Sequence, residues 1–442
     1  ACLCCRREGD AGDRVLMAAC PAFLFAAPAS GQGKTSIVAA LARLHARQGR
    51  RVCVFKCGPD FIDPMIHRVA SGNECEVVDL WMCGVDDVAW RLARAARSAD
   101  LIIVEGVMGL YDGEPSAADI ATRFNLPVLA VIDASAMAAT FGAIAFGLAR
   151  YQPGLPFYGA FANRVGSAGH ADMLQPGLPA DIPWRGHLLR NADFALPERH
   201  LGLVLAEELS DLTTCLDRIA DALAATPLAE LPPPVTFGEI AAPELPPLLS
   251  GKRIAIARDA AFAFVYAANL ECLRDLGAEL AFFSPLAGDA LPDCDAAWLP
   301  GGYPELYAER LSNRRDLWFA LTKHVDAGKP LLAECGGMMA LFETLVDRHG
   351  ATFSMAGLLP GKVAMQARLA ALGHQEAKLP EGCLRGHTFH YSTSETSLSP
   401  LVQAQNPKGR GGEAVYRRKR LTASYVHFYF PSNPEAVAEL LS

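Results

Sequence analysis

Short uninterrupted apolar runs alternate along the chain with longer stretches in which apolar residues recur every three or four positions. The runs at 22–27, 52–56, 101–104, 128–132 and 157–162 show no in–out alternation, as expected of strands covered on both faces in a parallel sheet. Helical patterns such as 34–48 and 88–98 lie between them. The pattern breaks at 231–249, which holds Pro232, Pro233, Pro234, Pro243, Pro246 and Pro247. Proline lacks an N–H and fixes φ, so this stretch reads as a semi-rigid linker that continues neither helix nor ladder. Beyond it the alternation restarts, with strands predicted at 253–257, 280–284, 296–299 and 330–333 and helices at 267–276 and 317–327. The predicted fold class is α/β: two open, mostly parallel α/β domains, 17–231 and 251–442, joined by a linker at 232–250. In such sheets ligands collect at the carboxyl ends of the strands. Residues 1–16 fit neither pattern and are expected to be an extension outside the fold.

Composition changes this picture little. A chain of 442 residues exceeds one ordinary core and suits two or three domains. With 51% hydrophobic and 20% charged residues, disorder is not expected. A net charge of −8 argues against non-specific nucleic-acid binding. It leaves small anionic substrates open, since local cations and backbone N–H groups hold those. Thirteen cysteines without a repeating spacing suggest free thiols in a reducing cytoplasm. Cys2, Cys4 and Cys5 lack the second pair that a zinc site needs. No apolar run reaches the ~18–20 residues of a membrane span. The stretch 15–29 follows Arg6 and Arg7 and resembles a signal peptide, but it leads directly into a glycine-rich turn and is expected to be the first buried strand. The Ala- and Gly-rich stretch 134–149 reads as a buried helix.

The chemistry begins at APASGQGKTS, residues 27–36, between a buried strand and a helix. Glycines turn backbone N–H groups toward phosphate oxygens, and the helix N-terminus favours negative charge. Ser30, Gly31, Gln32, Gly33, Lys34, Thr35 and Ser36 are therefore the predicted nucleotide-binding residues, with Thr35 also a ligand for Mg²⁺. Pro28 stands where the usual loop has glycine. Acids follow the next strands at once, in KCGPDFIDP (56–64) and EGVMGLYDG (105–113). A phosphate-loop protein presents carboxylates to Mg²⁺ in this way. Asp60 and Glu105 are the metal candidates. Asp63 and Asp112 are assigned to metal or substrate, although Asp112 beside Gly113 also suits a plain turn.

A second site is expected at PLLAECGGMM, residues 330–339, which reads as strand, tight turn and helix. Cys335 would stand at the turn, near a helix N-terminus that favours thiolate. Gly336 and, from the turn at 299–303, Gly302 would offer N–H groups to an oxyanion. Of the eleven histidines, His427 is the candidate base, with His387 and His390 as rivals. Strand alternation would put Tyr425, His427 and Tyr429 on one face. Cys53, Cys57 and Cys272 read as small buried hydrophobes.

Together with NRVGS (163–167), PGGYPE (300–305) and ASYVHF (423–428), these segments resemble the cobyrinic acid a,c-diamide synthase family from about residue 22 to 430. The resemblance implies a dethiobiotin-synthetase-like ATP domain followed by a class I-type glutaminase domain. It implies that Cys335 attacks glutamine to form a γ-glutamyl thioester and ammonia, with His427 as its base. The wider class carries an acid two residues after that histidine. Here the position is Tyr429, so the group that orients His427 stays open. The resemblance further implies that ATP and Mg²⁺ activate a carboxylate as an acyl phosphate, which ammonia displaces. Lys34 and Lys56 would neutralise the phosphoryl group, and Asn163 would contact the nucleotide base. The implied substrate is hydrogenobyrinic or cobyrinic acid, amidated on its a and c acetates in cobalamin biosynthesis. A nickel-sirohydrochlorin amidase or, in another class, a switch ATPase with a degenerate glutaminase partner are the alternatives. Trp81, Trp90, His67 and Arg68 are candidates for the macrocycle wall, and a homodimer is left open.

Overall fold

The structure is a computed structural model that describes residues 17–194, 211–238 and 240–442. In the first sheet, strands β1 (Ala18–Ala26), β2 (Val52–Cys57), β3 (Glu76–Val78), β4 (Leu101–Glu105), β5 (Val128–Asp133), β6 (Phe157–Val165) and β7 (Trp184–Leu189) run in the order β3-β2-β4-β1-β5-β6-β7. All these neighbours are parallel. The missing alternation now has its cause. Phe23, Phe25, Leu101 and Ile103 pack into a core on one face, while Leu24, Ala26, Ile102 and Val104 pack into a core on the other. Helices α1 (Lys34–Arg47), α2 (Ile62–Ser71) and α3 (Val85–Ala96) connect the first strands.

Two expectations fail here. The Pro-rich stretch does not begin as a linker, because Pro234–Phe237 forms strand β8, antiparallel to the start of β1. Proline is tolerated because Pro234 opens the strand, and Val235 and Phe237 supply buried anchors. The Ala-rich stretch becomes helical only at Thr140–Arg150. Asp133 accepts a hydrogen bond from the Ser135 N–H (2.9 Å) and starts a turn instead. That helix is also not wholly buried, as Phe146 is half exposed.

The second large sheet starts as predicted. Strands β9 (Arg253–Ala257), β10 (Glu279–Phe283), β11 (Ala296–Leu299) and β12 (Leu331–Glu334) are parallel in the order β10-β9-β11-β12, and Leu421–Ser424 continues beside β12. Its other half is antiparallel and was not foreseen. It runs through Gly411–Arg418, Val402–Gln405, Ala371–Leu379 and Gly382–His390 to His427–Phe428. These strands mix buried and exposed residues, so they lack the solid apolar run that marks a parallel strand. A further four-stranded sheet flanks them. No described helix is long and apolar enough to cross a membrane.

The two domains meet with the strand ends of both sheets facing a common cavity. Arg91 of α3 is almost wholly buried and binds Glu76 (2.6 Å), Asp87 (2.9 Å) and, across the interface, Glu271 (3.1 Å). Arg94 joins the same two glutamates. Tyr429 donates to Asp87 (2.6 Å), and His374 bonds Asp79 (2.7 Å). Tyr266 and Tyr429 of the second domain belong to a core cluster of the first. Removing a buried cation strands its carboxylates. Arg91→Ala is therefore expected to cost about 3–5 kcal/mol, read as a lowered denaturant midpoint. Arg94→Ala, a third exposed, should cost about 1 kcal/mol or less. Equal losses from the two would contradict this account.

Candidate active site

The phosphate loop follows β1 as a turn, with Gly31 and Gly33 at φ 79° and 86°. Gly33 caps α1, and Lys34 is its first residue, with Thr35 and Ser36 in the first turn. The loop is braced from beneath. Asn163 donates to the Gln32 carbonyl (2.9 Å), Gln32 accepts from the Asp133 N–H (2.8 Å), and Arg164 reaches the Gly31 carbonyl (3.0 Å). A side chain at Gly33 would stand 2.3 Å from the Asn163 amide nitrogen, so the close approach needs glycine. Lys34 donates to the Met108 carbonyl (2.6 Å), tying the loop to the 105–113 segment.

Behind the loop, the ends of β2 and β4 build a buried charge cluster. Thr35 donates to Glu105 (2.7 Å) and lies 3.3 Å from Asp63. The Lys56 ammonium sits between Asp63 (2.6 Å) and Glu105 (3.2 Å), with Asp60 at 3.9 Å. Burial alone would lower the Lys56 pKa, but Glu105, Asp63 and Asp60 hold it well above the usual value. Burial alone would raise the Glu105 pKa, but Lys56 and His67 outweigh it and hold this carboxyl well below the usual range. His67 is fully buried and hydrogen-bonds Glu105. It therefore supports the cluster and does not face a substrate. Asp63 and His67 are four apart on α2, a spacing that would have revealed the pair.

Asp63, assigned to metal or substrate, thus stands with Thr35. Asp60, expected with the metal, accepts the Ile62 N–H (2.8 Å), and burial and Asp63 push its carboxyl up to about 7. Asp112 accepts the Gly109 N–H (2.8 Å) and holds its own turn. Thr35, Asp63 and Glu105 offer only oxygen donors, a set suited to Mg²⁺. Among the described residues no three His, Cys, Asp or Glu side chains gather closely enough to hold an ion. An ion there would need phosphate and water oxygens as further ligands.

Cys335 follows β12 in a strained conformation, φ 45° and ψ −107°. A side chain at Gly337 would stand 2.0 Å from the Leu299 carbonyl oxygen, and one at Gly336 would stand 2.9 Å from the Gly302 nitrogen. Two glycines thus let the elbow press against the 299–303 turn, which brings the Gly302 and Gly336 backbones together. The expected thiolate bias is absent. The following helix, Gly336–Met339, has only four residues, and burial, then Glu305, pushes the Cys335 thiol up.

His427 lies on the short strand His427–Phe428, directly opposite His387. The continuous face expected for Tyr425, His427 and Tyr429 is broken, because the preceding strand ends at Ser424. Tyr425 stacks on His390 at 3.7 Å, while Tyr429 reaches Asp87 in the other domain. Burial, helped by His390, lowers His427 to about 3, so its imidazole is neutral. The rivals are engaged elsewhere: His390 bonds Glu413 (3.0 Å) and the Ser392 carbonyl (2.8 Å), and His387 bonds the Tyr266 hydroxyl (2.9 Å). Sequence reasoning missed Glu334. Its carboxyl, raised to about 8 by burial, accepts the Phe428 N–H (2.9 Å) and the Trp298 indole N–H (3.0 Å). It thereby pins the histidine strand to the cysteine strand. Its place immediately before Cys335 was the available signal.

One cavity of about 520 Å³ is lined from both domains. Asp60, Asp79 and Asp112 line it from the first domain, and Cys335 and His427 from the second, between apolar walls that include Val107, Ile120 and Phe389. Trp81, Trp90, His67 and Arg68 do not line it. Trp90 lies instead beneath the Arg94 guanidinium, and Arg68 opens on a neighbouring pocket.

Residues 23–204 match the CobQ/CobB/MinD/ParA nucleotide binding domain, and residues 253–435 match the CobB/CobQ-like glutamine amidotransferase domain. The hydrogenobyrinate a,c-diamide synthases of Pseudomonas aeruginosa and Stutzerimonas stutzeri are each 59% identical, over 96% of this chain and 98% of theirs. The cobyrinate a,c-diamide synthase of Herminiimonas arsenicoxydans is 49% identical over 94% of this chain and 95% of its own. With carboxylates of the first domain and the cysteine elbow of the second opening on one cavity, and with these relatives matched nearly end to end, the chain belongs to the hydrogenobyrinate and cobyrinate a,c-diamide synthase family.

Proposed function

We propose that the chain uses glutamine and ATP to convert the a and c acetate carboxylates of hydrogenobyrinate into carboxamides. The observation that carries the reading is the single cavity that Cys335 and His427 share with Asp60 and Asp112. The names of the two relatives at 59% identity favour hydrogenobyrinate over its cobalt form. The free cysteines of the described residues suit a cytoplasmic setting.

In the glutaminase half, the Cys335 sulfur attacks the glutamine amide carbon while neutral His427 takes the thiol proton. The Gly302 and Gly336 N–H groups receive the developing oxyanion. His427 then returns the proton to the leaving nitrogen, releasing ammonia, and water hydrolyses the thioester to glutamate. In the other half, a substrate carboxylate oxygen attacks the terminal phosphorus of ATP, giving an acyl phosphate and ADP, and ammonia displaces phosphate from the acyl carbon. Lys34 and Lys56 offset charge on the transferred group. Mg²⁺ held by Thr35, Asp63 and Glu105 would add charge neutralisation at the phosphates.

Cys335→Ala is expected to lower glutamine-dependent amidation about a thousandfold or more while ammonium chloride still supports it. Loss of both activities in a folded variant would overturn the division into two sites. Glu105→Gln should lower amidation about a hundredfold with either nitrogen source; full activity would remove Glu105 from the site. Incubation with ATP, Mg²⁺, glutamine and, separately, hydrogenobyrinate, cobyrinate and nickel sirohydrochlorin identifies the acceptor by mass spectrometry. Two carboxyl-to-amide conversions on hydrogenobyrinate are expected. Conversion of only one of the other rings would reassign the substrate, and ATP hydrolysis without any conversion would favour the switch ATPase.

A further inference from the structure

The buried Nδ1 of His427 has no hydrogen-bond partner among the described residues. The residue two positions on is Tyr429, and its hydroxyl is spent on Asp87. No hydrogen bond at Nδ1 therefore fixes the imidazole, and packing must do so. The ring lies on the Gly301 backbone, where an added side chain would stand 2.2 Å from its Cε1. It stacks on His387 at 5.0 Å and meets Phe264 at 6.0 Å. The remaining wall is Phe61, with ring centroids 5.0 Å apart and planes inclined by 56°.

Phe61 belongs to the other domain. It stands between Asp60 and Ile62 at the N-terminal end of α2, the helix that carries Asp63 and His67. Asp60 accepts the Ile62 and Asp63 N–H groups (2.8 and 3.3 Å), so the same carboxylate loop fixes the backbone around Phe61. From there the ring crosses the interface. It stacks face to face on Phe264 (5.0 Å, 4°) and lies 4.4 Å from Tyr266 and 5.5 Å from His387.

We propose that Phe61 is a positioning residue for the glutaminase base: it holds the His427 imidazole by ring packing, from the synthase domain, in place of an orienting acid. The inference rests on the reading of His427 as base. It makes the glutaminase depend on the loop that carries Asp60 and Asp63, so the domain that consumes ammonia shapes the site that releases it.

The test measures glutamate release from glutamine by the full chain, alongside amidation driven by ammonium chloride. In Phe61→Ala, kcat for glutamine hydrolysis should fall about tenfold or more while KM for glutamine changes less than about twofold, since a misplaced base slows chemistry more than binding. Phe61→Tyr, which keeps the flat ring, should restore kcat, and ammonium-driven amidation should fall far less than glutamine hydrolysis. Phe61→Leu keeps much of the volume without the ring and should also lose kcat, so the proposal stays testable if the alanine variant does not fold. Unchanged kcat in both Phe61→Ala and Phe61→Leu, or equal loss of hydrolysis and ammonium-driven amidation, overturns the positioning role. His427→Gln separates the two readings. If it leaves hydrolysis intact, the assignment of His427 as base fails. If it abolishes hydrolysis while the Phe61 variants remain normal, only the positioning role fails.

Discussion

Arg91 is a buried guanidinium shared by Glu76 and Asp87 of its own domain and Glu271 of the other, and the geometry across the cavity hangs on it. Burying these charges costs desolvation that their attraction only partly returns, so the network is not where most stability arises. Its planar, multi-donor geometry instead admits few docking arrangements. Asp87 links this network to the strand end beyond His427, because it also accepts the Tyr429 hydroxyl. The position two after the histidine holds no acid and is used to dock the domains. Orientation of His427 must then come from what packs against it.

The first domain was largely legible because its strands are buried on both faces and lie next to their motifs. A solid apolar run ending in Lys56 or Glu105 announces both a strand and the charge at its carboxyl end. The antiparallel half of the second sheet was not legible, since strands such as Ala371–Leu379 mix buried and exposed positions and carry no strong periodic signal. Strand β8 was hidden by its prolines. They argue correctly against a central strand, but here they begin an edge pairing with β1.

Within the site, residue identity was easier to read than role. The motifs brought out Asp60, Asp63 and Glu105 but could not say which of them turns toward Thr35. That depends on the helix phase of α2, which directs Asp63 at Thr35 and His67 at Glu105. The contact between Phe61 and His427 joins residues far apart in sequence and in different domains. No local pattern encodes it, and an aromatic residue between two acids reads as ordinary loop packing.

Protonation of the second site was also beyond the motif. A strand–turn–helix elbow suggests an activated thiolate, but the helix is short and both Cys335 and His427 are buried. Low dielectric disfavours the charged form of each, so the same burial raises the thiol and lowers the imidazole. The resting pair is therefore neutral, with the proton on sulfur. In the proposed reaction, charge separation becomes favourable only when a bound amide gives the sulfur electrons somewhere to go, beside the Gly302 and Gly336 N–H groups. A thiol held protonated is also a poor nucleophile toward adventitious electrophiles. Burial thus ties nucleophile activation to the arrival of glutamine.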